Sequence, residues 1–228
     1  MGLTILDPVP PSTPREERSP DAYEPMQRVT REIAFGSAGW DGERRQKITE
    51  LFDGMAAEWH TRDTEDRLLT TRDALERGLE VGRGGGTGGT ARTGGTALEI
   101  GSGTGIQTPL LLEQFDYVVS IDLSNEMLAL SPRRDAVALM RADAAELPLA
   151  GGSVDAVVCV NAFLFPAEFA RVLRPGGHIV FVASSGPETP IYLPPADVVA
   201  AVEPALGPVD ATTSGHGWGS WTVVTTRP

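Results

Sequence analysis

The sequence predicts an α/β fold: a mostly parallel sheet of seven strands, closed by a C-terminal antiparallel hairpin and preceded by amphipathic helices. Three observations predict it. From residue 97 onward short apolar runs alternate with helical patterns, which implies a parallel sheet covered on both faces. The first run passes straight into the glycine-rich turn of "ALEIGSGTGIQTPLLL" (97–112), a strand-to-helix junction. At the end the alternation breaks: "PVDATT" and "WTVVTT" flank the glycine-punctuated "SGHGWGS", the pattern of a hairpin.

Taken in order, residues 1–40 read as a proline-rich N-terminal arm. Pro8, Pro10, Pro11, Pro14, Pro20 and Pro25 exclude a regular helix or an interior strand over 1–25, so an extended, mobile segment is expected. "MQRVTREIAF" (26–35) suits a short helix or a continuation of the arm. Residues 41–80 are helical: Ile48, Leu51, Phe52, Met55 and Trp59 make one apolar stripe, and "EDRLLTTRDALERGL" (65–79) adds a second amphipathic pattern ending at Gly78–Gly82. "VGRGGGTGGTARTGGT" within 81–96 follows no strand and its glycines prevent a helix from following, so it reads as a flexible linker and not a phosphate loop. The sheet domain then occupies 97–228, with strands at 96–101, 117–122, 137–141, 154–160 and 178–184. Helices are expected at 105–114, 124–130, 143–147, 166–173 and 195–206.

Bulk properties narrow the classes of function. A net charge of −12 opposes a nucleic-acid surface, which needs a basic stripe, and equally opposes stable docking on an anionic membrane. Cys159 is the single cysteine, which excludes an intramolecular disulfide and a cysteine-built zinc site. No stretch has the pattern of a signal peptide or a membrane span, so a cytoplasmic protein with a small-molecule partner is expected.

The glycines at 101, 103 and 105 give G-x-G-x-G, which meets the dinucleotide fingerprint only in part. Glu99, two positions ahead of the first glycine, sharpens the reading. Its carboxylate would repel a pyrophosphate and attract a ligand with an ammonium group. Asp122 ends the second strand, where a carboxylate can bond both ribose hydroxyls, and Asp143 after the third can accept from the exocyclic amine of an adenine. Acids at the carboxyl ends of consecutive strands thus fit a ligand with a cationic amino-acid end, a ribose and an adenine: S-adenosyl-L-methionine. Each position has a plain alternative: a tight turn for the glycines, helix caps for Asp122 and Asp143, and satisfaction of a turn backbone for Asn161.

At these residues the sequence resembles the class I S-adenosylmethionine-dependent methyltransferases, in the small-molecule group of the ubiquinone and menaquinone biosynthesis enzymes. "LEIGSGTG", "VVSIDLSNEML", "RADAAELPL", "SVDAVVCVNAF" and "FARVLRPGGHIVFV" occur in that family's order. The resemblance implies a Rossmann-like fold, a helical lid at the N-terminal side and transfer of a methyl group to O, N or C of a small acceptor. It implies that Glu99, Gly101, Ser102, Gly103 and Gly105 hold the methionine part. Asp122 would hold the ribose, Leu123 would pack on the adenine, and Asp143 with the Ala144 backbone would grip its edge. Asn161 would line the floor near the sulfonium, and Trp59 and His60 in "LFDGMAAEWH" would close over the site.

In-line methyl transfer requires positioning and water exclusion, and a base only where the acceptor must lose a proton. His60 and His216 are the candidates for a base or an acceptor contact, with an ordinary solvent-exposed histidine as the alternative for each, while His178 at the far end of its strand reads as a surface residue. Between 161 and 177 the chain is short, and Phe163, Leu164 and Phe165 imply an apolar wall or an open pocket where relatives carry a longer acceptor-positioning segment. No paired acid constellation suits magnesium, so no metal is expected. The competing readings are a non-methylating enzyme on this fold, such as a cyclase, and a ligand-binding protein.

Overall fold

The computed structural model describes residues 2–227 apart from 13, 15, 17, 37, 38, 63, 64 and 83–91, and describes only the backbone of 62 and 66. Most of the expected linker therefore lies outside the described residues.

The N-terminal part supplies a short strand, β1 (Leu3–Ile5), and the helices α1 (Glu24–Ala34), α2 (Gly42–Met55) and α3 (Glu65–Asp73). Asp41 starts α2 by accepting from the Arg44 backbone N–H at 2.8 Å. A 3-10 segment, Ala56–Arg62, joins α2 to α3, and a π-helical turn, Ala74–Gly78, carries α3 into the four-residue α4 (Leu79–Gly82). Gly78 sits where this helix meets the sheet. A Cβ there would lie 2.5 Å from Val223 Cγ2, so the close approach requires a residue without a side chain.

The remainder alternates as the sequence predicts: β2 (Thr96–Ile100), α5 (Thr108–Gln114), β3 (Tyr117–Asp122), α6 (Asn125–Leu130), β4 (Val137–Arg141), β5 (Val154–Val160), α7 (Pro166–Val172), β6 (Leu173–Ala183), α8 (Pro195–Leu206), β7 (Val209–His216) and β8 (Gly219–Thr226). The sheet order is β1-β7-β8-β6-β5-β2-β3-β4. Strands β2 to β6 run parallel, while β8 lies antiparallel between β6 and β7. The two-residue period of β2 sends Leu98 and Ile100 to one face and Ala97 to the other, so each face builds its own core. One core packs Phe169, Val172, Val198 and Val202 from α7 and α8. The opposite one packs Leu75, Leu79, Leu111 and Phe115 around Trp221. A third cluster, with Ile33, Ile48, Phe163 and Ile191 at its centre, sits under the N-terminal helices.

Four expectations need correction. The sheet has eight strands and not seven, because Leu3–Ile5 pairs in parallel with Ala211–Thr213 at the edge. Prolines follow this stretch without entering it, and an edge strand needs only one row of backbone partners; the Leu6 and Val9 N–H groups extend the contact by donating to Thr213 and Gly215 carbonyls at 2.9 Å. The beginning of the expected mobile arm is thus bound to the sheet, and 24–34 is helical. The helix expected at 143–147 is a turn, in which Asp143 accepts from the Ala145 N–H at 2.9 Å through its own carboxylate. His178 is buried and not on the surface, with Nδ1 3.0 Å from Thr225 Oγ1, because β8 covers the strand on that side.

Candidate functional site

The chain leaves β2 toward β3 on one side and returns to β5 on the other, so a crevice opens beyond the carboxyl ends of these strands. A cavity open to solvent lies there. Of the ten residues expected to hold a cofactor, all but Gly105 line it. The strand ends bring Glu99, Asp122 and Asp143 to its wall, and Trp40, Phe52, Trp59, Phe163 and Phe165 give it an aromatic side under the helical cap.

Glu99 is buried, and both the Thr108 and Ser120 hydroxyls donate to its Oε2, at 2.7 and 2.5 Å. Burial dominates over these bonds and pushes its carboxyl from an ordinary 4.5 up to about 7. Asp122 accepts from the Gly103 N–H and the Ser124 N–H, each at 2.8 Å. Burial raises its pKa as well, against the lowering effect of those backbone donors. The Gly103 bond ties the glycine turn to the end of β3. Ser124 in turn caps α6 and donates to Asp53 of α2, which fastens the cap to the same corner.

The turn needs its glycines for conformation: Gly101, Gly103 and Gly105 have φ values of 63°, 56° and 76°. Gly105 faces away from the cavity, and a Cβ on it would strike the Ser131 hydroxyl. Ser102 Oγ and Gln107 Oε1 are buried at the cavity wall without a hydrogen-bond partner among the described residues. Buried polar atoms in that condition are expected where a ligand completes them.

Asp143 is already heavily engaged. Trp40 Nε1 donates to both its oxygens, at 2.9 and 3.0 Å, and Arg45 Nη1 donates to Oδ2 at 3.1 Å. With the Ala145 N–H these fill the acceptor capacity of the carboxylate. Asn161 lines the floor with φ 52°, but its amide is bonded to Ser184 on both sides: Nδ2 donates to Oγ at 2.8 Å and Oδ1 accepts from N–H at 2.9 Å. The backbone-satisfying alternative for Asn161 is therefore realised alongside its place on the wall. Trp59 lines the cavity, packed edge-on against Phe52 at 5.9 Å. His60 is exposed, and His216 accepts a bond from Thr70 through its carbonyl; neither lines the cavity.

With this geometry in place, known proteins supply the comparison. Residues 98–181 match the family described as a methyltransferase domain. The matched stretch runs from β2 into β6, and over it the chain is similar to methyltransferases. It is 34% identical over 148 residues to a demethylmenaquinone methyltransferase of Beutenbergia cavernae, covering 61% of this chain and 59% of that protein. The corresponding enzyme of Corynebacterium urealyticum is 36% identical over 157 residues, covering 64% and 63%. The chain thus spans about six-tenths of the length of these curated relatives. Among solved structures, DhpI in its SAH complex superposes with a TM-score of 0.56 at 17% identity, over 81% of this chain and 97% of that one. A Haloferax volcanii methyltransferase solved with the Trm112 activator gives 0.55 at 17% identity, over 78% and 98%. At this identity the likeness is one of fold.

Residues 98–181 alone do not make the cavity. Trp40, Arg45, Arg67 and Gln107 were absent from the sequence-based site, yet Trp40, Arg67 and Gln107 line the cavity and Arg45 reaches one of its acids. Trp40 lies 103 positions from the aspartate it contacts, and no local pattern in the chain signals that pairing. Gln107 sits immediately after the glycine turn, and only its buried, unsatisfied Oε1 distinguishes it from a helix-entry residue. Among the described residues no group of histidine, cysteine or acid side chains has the geometry of a metal site.

Proposed function

We propose that this protein is an enzyme that transfers the methyl group of S-adenosyl-L-methionine to a small, partly apolar acceptor. The observation that carries the reading is the convergence of Glu99, Asp122 and Asp143 on one cavity beside the glycine turn. The residues present fit the cofactor: buried acids suit its cationic amino-acid end, and the orphaned Ser102 and Gln107 oxygens await a polar ligand. In this reading Glu99, Gly101, Ser102 and Gly103 receive the methionine part, with Gly105 shaping the turn from behind. Asp122 receives the ribose hydroxyls, Leu123 packs on the adenine, and Asp143 with the Ala144 backbone meets its edge, the adenine amine sharing or replacing the Trp40 donor. Asn161, fixed by Ser184, forms the floor.

The cofactor, once bound, supplies a methyl carbon activated by a sulfonium. The chain's own residues do the rest by placement. Phe163 and Phe165, with ring centroids 5.7 and 5.3 Å from that of Trp40 and steeply inclined to it, make with it an apolar wall that holds an acceptor and excludes water. No histidine lines the cavity among the described residues, so His60 and His216 are not favoured as bases, and an acceptor that attacks through an already anionic or carbon centre suits the site. Curated relatives are named for demethylmenaquinone, and an acceptor with a flat ring would suit the aromatic wall. Residues 41–80 would serve as the cap. The net charge of −12 supports a small-molecule partner over nucleic acid or an anionic membrane. No described helix is long and apolar enough to cross a membrane, and a cytoplasmic location is part of the proposal.

Isothermal titration with S-adenosylmethionine and S-adenosylhomocysteine tests the reading, with NADH as the control. Binding of both adenosyl ligands, lost in Asp122→Ala, is expected; tight NADH binding in their place would replace the proposal with a nicotinamide enzyme.

A further inference from the structure

Glu99 sits where a negative charge is hard to keep. In the register of β2 and β3 it pairs with Ser120, and on its other side β5 places Val158 beside it. Its neighbours Ala97, Val118 and Val158 belong to the apolar core that also packs Leu111 and Phe115 of α5. Into this layer the chain brings two buried hydroxyls, Ser120 within the β3 run and Thr108 at the first position of α5. Both donate to the same carboxylate oxygen of Glu99, Oε2, at 2.7 Å from Thr108 and 2.5 Å from Ser120. Among the described residues Oε1 takes no hydrogen bond, and Glu99 lines the cavity. Asp122, at the end of β3, is the charged neighbour that acts on Glu99, and together with burial it opposes ionisation, while the two hydroxyls favour it. Asp143 and Arg67 line the same cavity, and α5 is entered through the neutral Gln107.

Two donors on one oxygen divide the carboxyl into unlike halves. Each hydroxyl has one proton to give, and two given to Oε2 occupy both of its lone-pair directions. A proton taken up by Glu99 must therefore settle on Oε1, and so must a cation received from the cavity. The ammonium of the proposed cofactor and a proton from solvent compete for one atom.

We propose that Thr108 and Ser120 are positioning residues: by holding Oε2 they keep Oε1 for the ligand and keep the carboxylate ionisable near neutral pH, so that ligand ammonium and proton exclude each other there. The proposal rests on the cofactor reading above and extends it to the two hydroxyls that make Glu99 a usable anion inside an apolar layer. It also accounts for a serine within the apolar run "YVVSID" (117–122).

The full chain is titrated from about pH 6 to about pH 9 with S-adenosylhomocysteine and with 5′-deoxy-5′-methylthioadenosine, which lacks the ammonium. Thr108→Val and Ser120→Ala are each expected to move the pH at which S-adenosylhomocysteine affinity falls upward by about one unit. Relative to the unaltered protein at the same pH, each then binds about threefold more weakly at about pH 7.5 and within about 1.5-fold at about pH 9. Methylthioadenosine affinity is expected to stay within about twofold throughout. Thr108→Ser, which keeps the hydroxyl, is expected to leave the profile in place. A loss that is equal at every pH would reveal packing alone and overturn the assignment, as would a Thr108→Ser profile shifted like that of Thr108→Val. A second measurement needs no variant to fold. Calorimetry of the unaltered protein at about pH 6.5, in buffers of different ionisation enthalpy, is expected to show release of about 0.7 proton on binding S-adenosylhomocysteine and none on binding methylthioadenosine. Binding of S-adenosylhomocysteine without proton release would overturn the assignment and leave the cofactor reading standing. If the unaltered protein binds neither ligand, the cofactor reading falls and the assignment with it.

Discussion

Glu99 sets the pH behaviour of the site. Its carboxyl titrates at about 7 because it is buried, and an ammonium partner favours its ionised form. Ligand affinity is therefore expected to fall as pH drops through about 7, by close to tenfold per pH unit below that point, in titrations of S-adenosylhomocysteine from pH 8 to 5.5. Glu99→Gln should flatten the profile and hold affinity low throughout. The same shift acts on folding in the ligand-free protein. The folded pKa lies above the ordinary 4.5, so the neutral carboxyl's contribution to stability is complete below 4.5 and is lost as pH rises to about 7. That loss is on the order of 3 kcal/mol, and urea midpoints measured across this window should decline while those of Glu99→Gln stay level. A second residue-scale expectation concerns tryptophan emission. Trp40 and Trp59 line the cavity whereas Trp221 is buried against Asp73, so cofactor addition should change the fluorescence of the unaltered protein. Most of the change should vanish in the Trp40→Phe, Trp59→Phe double variant, with the Trp221 contribution unmoved.

At the scale of elements, the π-helical turn that follows α3 packs closely on the sheet. A methyl at position 78 would stand 2.5 Å from Val223 Cγ2 and 3.0 Å from Trp221 Cζ3. Gly78→Ala is expected to destabilise by about 1–3 kcal/mol, seen as a lower urea midpoint with an unchanged m value. The elements also show what was legible beforehand. The strands β2 to β8 followed from apolar runs punctuated by glycine, because each must be buried on both faces and its composition records this. The acids Glu99, Asp122 and Asp143 were legible because a parallel strand delivers its last residue to a fixed edge. Trp40 and Arg67 were not, because α3 and the segment that leads into α2 approach the strand ends only through tertiary packing, and a single tryptophan or arginine has the same pattern whether it faces a cavity or solvent. The Asp143 turn escaped for a related reason: its carboxylate bonds its own backbone, which competes with helix formation at a position where propensity alone suggests one. β1 was masked by the prolines that follow it, which forbid an interior strand and leave an edge strand available.

The whole molecule presents a strongly acidic exterior to its partners. With a net charge of −12 it is expected to pass through heparin at about 50 mM salt and to leave anionic vesicles unbound in sedimentation assays; retention on either would argue for a macromolecular acceptor. Removal of residues 2–9 is expected to lower Tm by about 2–6 °C and leave S-adenosylhomocysteine affinity within twofold, because the edge pairing lies on the far side of β6, β8 and β7 from the crevice between β2 and β5.

That pairing also fixes an order of events. Leu3 finds its place only beside Ala211, and Ser214 binds the carbonyls of Leu6 and Asp7 across separations of 208 and 207 positions. On a ribosome this segment must wait, unsheltered, until β7 has emerged. These residues dock only after that late strand is made, and a nascent chain stalled before the hairpin would hold them open to proteases.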